Sequence, residues 1–200
     1  MDTKTILLTV LAIGGLWSGW NQWTSRTVHP RDGVLTAPDP LQTDIGTATT
    51  VRLGRWTLTP RAHYDITARV LGREHYGFDK LSDLVPEDLA LGWGPMSDNR
   101  VLSALEISQG ARFYSWRPRS AWPIARDDII AHSANTHVIP ADARIRKQLA
   151  RLRVGEVIRL KGMLVDAVRD DGAYIHTSMT RTDTGAGACE VLLVETVERR

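Results

Sequence analysis

The chain has 200 residues, of which 42% are hydrophobic and 24% charged, an ordinary globular composition that excludes wholesale disorder. Its single cysteine, Cys189, excludes an intrachain disulfide and a four-thiolate zinc site. A net charge of +2 argues neither for nor against a polyanionic partner, so the local placement of charge has to decide that question.

The first element is a membrane anchor. From Thr5 to Trp20 the chain carries no charge and is mostly apolar, through Ile6, Leu7, Leu8, Val10, Leu11, Ile13 and Leu16. A full span needs about 20 residues, so the segment must recruit residues up to Trp23 or thin the bilayer. Trp17, Trp20 and Trp23 recur every third residue, as an interfacial aromatic belt does. The preceding Gly15-Leu16-Trp17-Ser18-Gly19 stretch lacks the small-x-small site of a cleaved signal. No cysteine nearby is available to carry a lipid. Residues 1–24 therefore read as a single-pass anchor in a bacterial inner membrane, with the domain on the extracytoplasmic side. Lys4 against Arg26 and Arg31 leaves the positive-inside rule almost balanced.

Residues 25–46 contain Pro30, Pro38 and Pro40 with no helical or strand periodicity, and read as an extended linker. Residues 47–200 follow as a single β-rich α+β domain. Val51 and Leu53, then Trp56 to Thr59, then Tyr64, Ile66, Ala68 and Val70 give strand patterns. Pro86-Glu87-Asp88 matches a helix first turn that stops at Gly92, and Ser97 or Asp98 caps a second short helix. Arg112 to Trp116 reads as a strand, with Arg112, Tyr114 and Trp116 on one face. Asp127-Asp128 opens a helical turn, and residues 141–152 form the best helix, with the stripe Ile145, Leu149 and Leu152. Residues 156–168, a turn at Asp170-Asp171-Gly172, a return strand and residues 190–197 make a meander. This pattern suggests a small barrel similar to an oligonucleotide/oligosaccharide-binding (OB) fold.

Three constellations carry candidate chemistry. His132, Asn135 and His137 lie within six residues. With Cys189 they supply the grouping of a cysteine hydrolase: Cys189 as nucleophile, His132 or His137 as base, Asn135 as orienting group. Against it, Cys189 precedes the apolar run Val191 to Val194, where a buried structural thiol is the simpler expectation. His132, His137, His176 and Cys189 make a weak zinc set whose spacing does not preform a site, so no metal or other cofactor is expected. The Asp183-Thr184-Gly185 tripeptide resembles an aspartic-protease motif but lacks a second copy to complete a dyad, and reads as a tight loop with Asp183 near Arg181. Interleaved cations and rings at Arg112, Tyr114 and Trp116, with Arg144 and Lys147 on a helix face, suit stacking or polyanion binding. Trp93, between Gly92 and Gly94, is a further contact candidate.

The segments Leu89 to Asp98, Ile107-Ser108-Gln109 leading to Tyr114 and Trp116, 132–140 and Arg181 to Glu190 look like motifs of a family of uncharacterised bacterial membrane-anchored proteins. The resemblance covers most of the domain. It implies an anchored architecture and supplies no catalytic assignment. The reading placed first from sequence is a membrane-tethered binding or assembly module whose partner is another membrane or envelope protein. A Cys/His-dependent hydrolase or metal-dependent enzyme and a polyanion-binding domain are the alternatives.

Overall fold

The computed structural model describes residues 26–185 and 187–200. The anchor expected at the N-terminus lies outside these residues. Among the described residues no helix is long and apolar enough to cross a membrane. The domain is a β-rich α+β fold, 45% strand and 13% helix.

Its frame is set by one long strand, β3 (Trp56–His75), whose residues alternate between buried and exposed over most of its length. Its first two-thirds pair antiparallel with β8 (Val157–Arg169), and its last third pairs with β4 (Glu87–Gly92). A strand can serve two neighbours in this way only if it bends. Register irregularities at Pro60/Ala62 and Val70/Gly72 mark the bends. From β4 the sheet continues antiparallel to β7 (Ser133–Pro140), parallel to β10 (Glu190–Arg199) and antiparallel back to β8. Because β8 also pairs with β3, these five strands close on themselves and leave no free edge in the ring. Short strands β1 (Leu41–Asp44) and β2 (Val51–Leu53) add to β3, and β9 (Tyr174–Ile175) adds to β8.

One face of the ring packs Tyr64, Ile66, Leu91, Val138, Leu160 and Leu192 into the main core. Helix α3 (Ala143–Leu149) packs on that core with Ile145 and Leu149, joined by Leu152 just beyond it, the stripe expected from sequence. The Asp142 side chain caps it by accepting from the Ile145 amide at 2.7 Å. The alternate residues of the same strands form a second layer around Trp56, Leu58, Ile139, Val165 and Val191. A third cluster, Leu71, Ala90, Met96, Leu105 and Ile129, lies under the insertion between β4 and β7. That insertion contains a 3-10 turn (Gly94–Ser97), helix α1 (Asn99–Ser103), the hairpin of β5 (Leu105–Gly110) and β6 (Phe113–Pro118), and helix α2 (Arg126–Ala131).

Three local expectations are corrected. Residues 87–92 form a strand, not a helix, and all six are buried. The His132–His137 segment is mostly strand β7 rather than a loop. Arg112 sits in the hairpin turn at φ 69, outside the strand that carries Tyr114 and Trp116. Residues 26–46, read from sequence as a linker, lie on the body. Val28 donates its backbone N–H to the Val154 carbonyl, Thr36 is buried, and Leu41–Asp44 joins the sheet.

Candidate active site

The register of the three neighbouring strands β4, β7 and β10 assembles a polar group in an otherwise apolar layer. Asp88 of β4 is directly opposite His137 of β7, so their side chains share a face. Asn135, two residues earlier in β7, shares it too. Cys189 immediately precedes β10, whose Glu190 pairs with Thr136.

Asp88 is fully buried. Its Oδ1 accepts hydrogen bonds from His137 Nδ1 and from Arg112 Nη1, both at 2.8 Å, so the carboxylate has two cationic partners. The Nδ1 contact leaves the other ring nitrogen of His137 for Cys189. Burial pushes the His137 imidazole down. Hydrogen bonds and charge from Asp88 and Cys189 push it up more strongly, and the result is a raised pKa of about 9. At neutral pH His137 is therefore an imidazolium, with a proton to donate beside the Cys189 sulfur. Asn135 donates through Nδ2 to the Arg112 carbonyl at 3.0 Å, and the same nitrogen is 3.5 Å from Cys189 Sγ. Its Oδ1 accepts from Gln109 Nε2 at 2.8 Å, which fixes the amide orientation.

Arg112 ties the hairpin to this group. Its Nε and Nη2 pair with both oxygens of Asp79 at 2.8 and 2.9 Å, and Nη2 also donates to the Val85 carbonyl. The guanidinium lies 3.7 Å over the Tyr76 ring, and the Arg112 backbone N–H donates to the Tyr76 hydroxyl. The two-residue turn Ala111–Arg112 has φ 50 and 69, a conformation that favours Asn or Gly. Contacts on this scale hold a turn that its own residues disfavour.

Cys189 is partly exposed, whereas His137 is only 6% exposed. The sulfur opens into a cavity of about 440 Å³ between the hairpin, α2 and the loop before β10. Tyr114 and Trp116 of β6, Trp122, and Ile130 of α2 give it aromatic and apolar walls, while Asn135 is at its base. Trp116 and Trp122 meet edge to face, 5.8 Å between centroids. The cavity size is in the range of small-molecule sites.

Glu190 follows Cys189 but its side chain is on the alternate face of β10. Burial, then the Asp183 charge, raises its pKa to about 8, with His137 and Arg181 opposing.

The cavity and its polar base therefore bring together Cys189, His137, Asn135, Tyr114, Trp116 and Asp183 of the residues singled out from sequence, with Arg112 behind them. Others are elsewhere. Trp93 is 1% exposed and donates its indole N–H to Asp39, so it presents no ligand face. His132 ends α2 with Nδ1 on the Asp128 carbonyl, and His176 lies beside Asp166. Among the described residues no group of three or more His, Cys, Asp or Glu side chains is arranged to hold a metal ion. The four weak zinc candidates do not form such a set. Arg181 donates to the Pro40 carbonyl. Arg144 and Lys147 are exposed on α3. Sequence reasoning missed Asp88, Gln109, Tyr76 and Asp79. The available signal for Asp88 was two acidic residues heading the apolar run Leu89-Ala90-Leu91, which is costly unless the carboxylates have partners.

Comparison with protein-family models, with curated proteins and with solved structures finds no match to this chain. The geometry alone carries the functional reading.

Proposed function

We propose that the domain is a membrane-tethered cysteine acyl hydrolase, with Cys189 as nucleophile, His137 as its acid/base partner and Asp88 as the group that orients and charges His137. The observation that carries this reading is the Asp88–His137–Cys189 series, in which the sulfur alone opens into an aromatic cavity. The thiolate attacks an ester, thioester or amide carbonyl, forming a C–S bond. The leaving oxygen, sulfur or nitrogen departs with the proton held by His137. Water then attacks the thioester as His137 accepts its proton, releasing the carboxylic acid and restoring the ion pair. Asn135 is the positioning residue for the sulfur.

The barrel order β3-β4-β7-β10-β8, with a helix between the third and fourth strands, supports an OB-like architecture. In that fold ligands meet the face of the second and third strands and the loops after the first and fourth. Here those are β4, β7, residues 76–86 and residues 170–189, the neighbourhood of Cys189. The uncharged, tryptophan-flanked N-terminal stretch supports a tether in a bacterial inner membrane with the domain outside the cytoplasm.

The full chain in detergent, offered p-nitrophenyl acetate, should release nitrophenol faster than background. Cys189→Ala should return the rate to background, and His137→Ala should lower it by about 10²-fold or more. Unchanged turnover by Cys189→Ala would remove the hydrolase reading. The aromatic walls then favour the first expectation from sequence, a tethered binding or assembly module, with the cavity as its contact surface.

A further inference from the structure

The walls of the cavity indicate what kind of acyl group it takes. Its base is formed around the buried Asn135 amide and the partly exposed Cys189 sulfur. Its mouth is exposed: Trp122 is 48% exposed, and Arg126, at the first position of α2, is exposed too. Neighbouring guanidiniums are already committed, Arg112 to Asp79 and Asp88, and Arg117 to Glu106. Arg126 has no ion pair or side-chain hydrogen bond among the described residues, although it lines the cavity. The cavity's carboxylate, Asp183, accepts from the Ser178 hydroxyl at 2.6 Å and belongs to the loop that leads into Cys189, so negative charge is disfavoured at the sulfur end. The Tyr114 hydroxyl is buried beside Ser133, whose own hydroxyl donates to the Ile129 carbonyl.

We infer that the cavity binds acyl groups with an apolar or aromatic middle and an anionic far end, the middle lying against Trp116 and Trp122 and the anion pairing with Arg126. An anion at the mouth gains a bidentate guanidinium partner, and rings in the middle gain stacking area without requiring a charge at the base. The class includes aryl- and alkyl-dicarboxylic half-esters and the corresponding thioesters. That the bound group is an acyl donor rests on the hydrolase reading, but its recognition does not.

The test is therefore a binding measurement that needs no turnover. The full chain with Cys189→Ser is titrated by calorimetry with 3-phenylpropanoate and with its neutral analogue 3-phenylpropanamide. The anion should bind about fivefold more tightly, as expected for one partly exposed ion pair, and high salt should shrink the difference. Arg126→Ala should remove the preference and Arg126→Lys should keep part of it. Equal affinity for the two probes, a preference that survives Arg126→Ala, or binding of neither probe would overturn the inference. The hydrolase reading fails separately, on the turnover of Cys189→Ala.

Discussion

Ala111 and Arg112 show how a few residues concentrate both strain and purpose. Two non-glycine residues at positive φ cost about 1–2 kcal/mol each, and the contacts of Arg112 offset that cost. Ala111 makes none of those side-chain contacts. Ala111→Gly should therefore raise the stability by about 0.5 kcal/mol or more, read as an increase in Tm, with the hairpin and turnover unchanged. Two displaced pKa values, those of His137 and Glu190, have a joint consequence for pH. His137 is raised from 6.5 to about 9, so its stabilising contribution is complete below pH 6.5 and is lost as pH climbs through 9. Glu190 is raised from 4.5 to about 8, so the native state, which keeps that proton, is penalised as pH rises from 4.5 toward 8. Both act in one direction. Tm should fall between pH 6.5 and 9, and Glu190→Gln should flatten the part of the profile below pH 8. A Tm that rises over this interval would contradict both assignments.

Among the elements, those built from local pattern were legible in the sequence. The strand patterns at residues 56–59, 64–70 and 156–168, the helix with its Ile145, Leu149 and Leu152 stripe, and the Asp170-Asp171-Gly172 turn all follow from side-chain period and turn chemistry. Strand β4 was not legible because Pro86-Glu87-Asp88 carries the local signature of a helix start. What makes it a strand is remote: Glu87 pairs with Arg73 and Asp88 with Arg112 and His137. The site shares that fate. Cys189, His137 and Asn135 were visible as residue types, but their union depends on a parallel pairing of segments more than 50 residues apart, and Asp88 could not be assigned until β4 was known. The N-terminal arm makes a test at this scale. Gly155 has φ 92, and a Cβ there would clash with the Val28 carbonyl oxygen. Gly155→Ala should displace the arm, cost about 1–3 kcal/mol and open residues 26–40 to proteolysis.

At the scale of the whole molecule, a closed barrel provides a rigid floor while an inserted hairpin, a short helix and the loop before β10 make the walls of the cavity. Such a division lets loops vary a binding surface without disturbing the ring that supports it. The arm lies against the barrel through Val28, whose backbone N–H donates to the Val154 carbonyl. Everything functional in this account turns on Cys189 becoming acylated through His137. The most direct measurement is the intact mass of the full chain, quenched in acid within seconds of mixing with p-nitrophenyl acetate. A single added acetyl group is expected on Cys189, decaying as hydrolysis proceeds, forming slowly in His137→Ala and absent in Cys189→Ala. No adduct on the wild-type chain, or an adduct mapped to another residue, would contradict it.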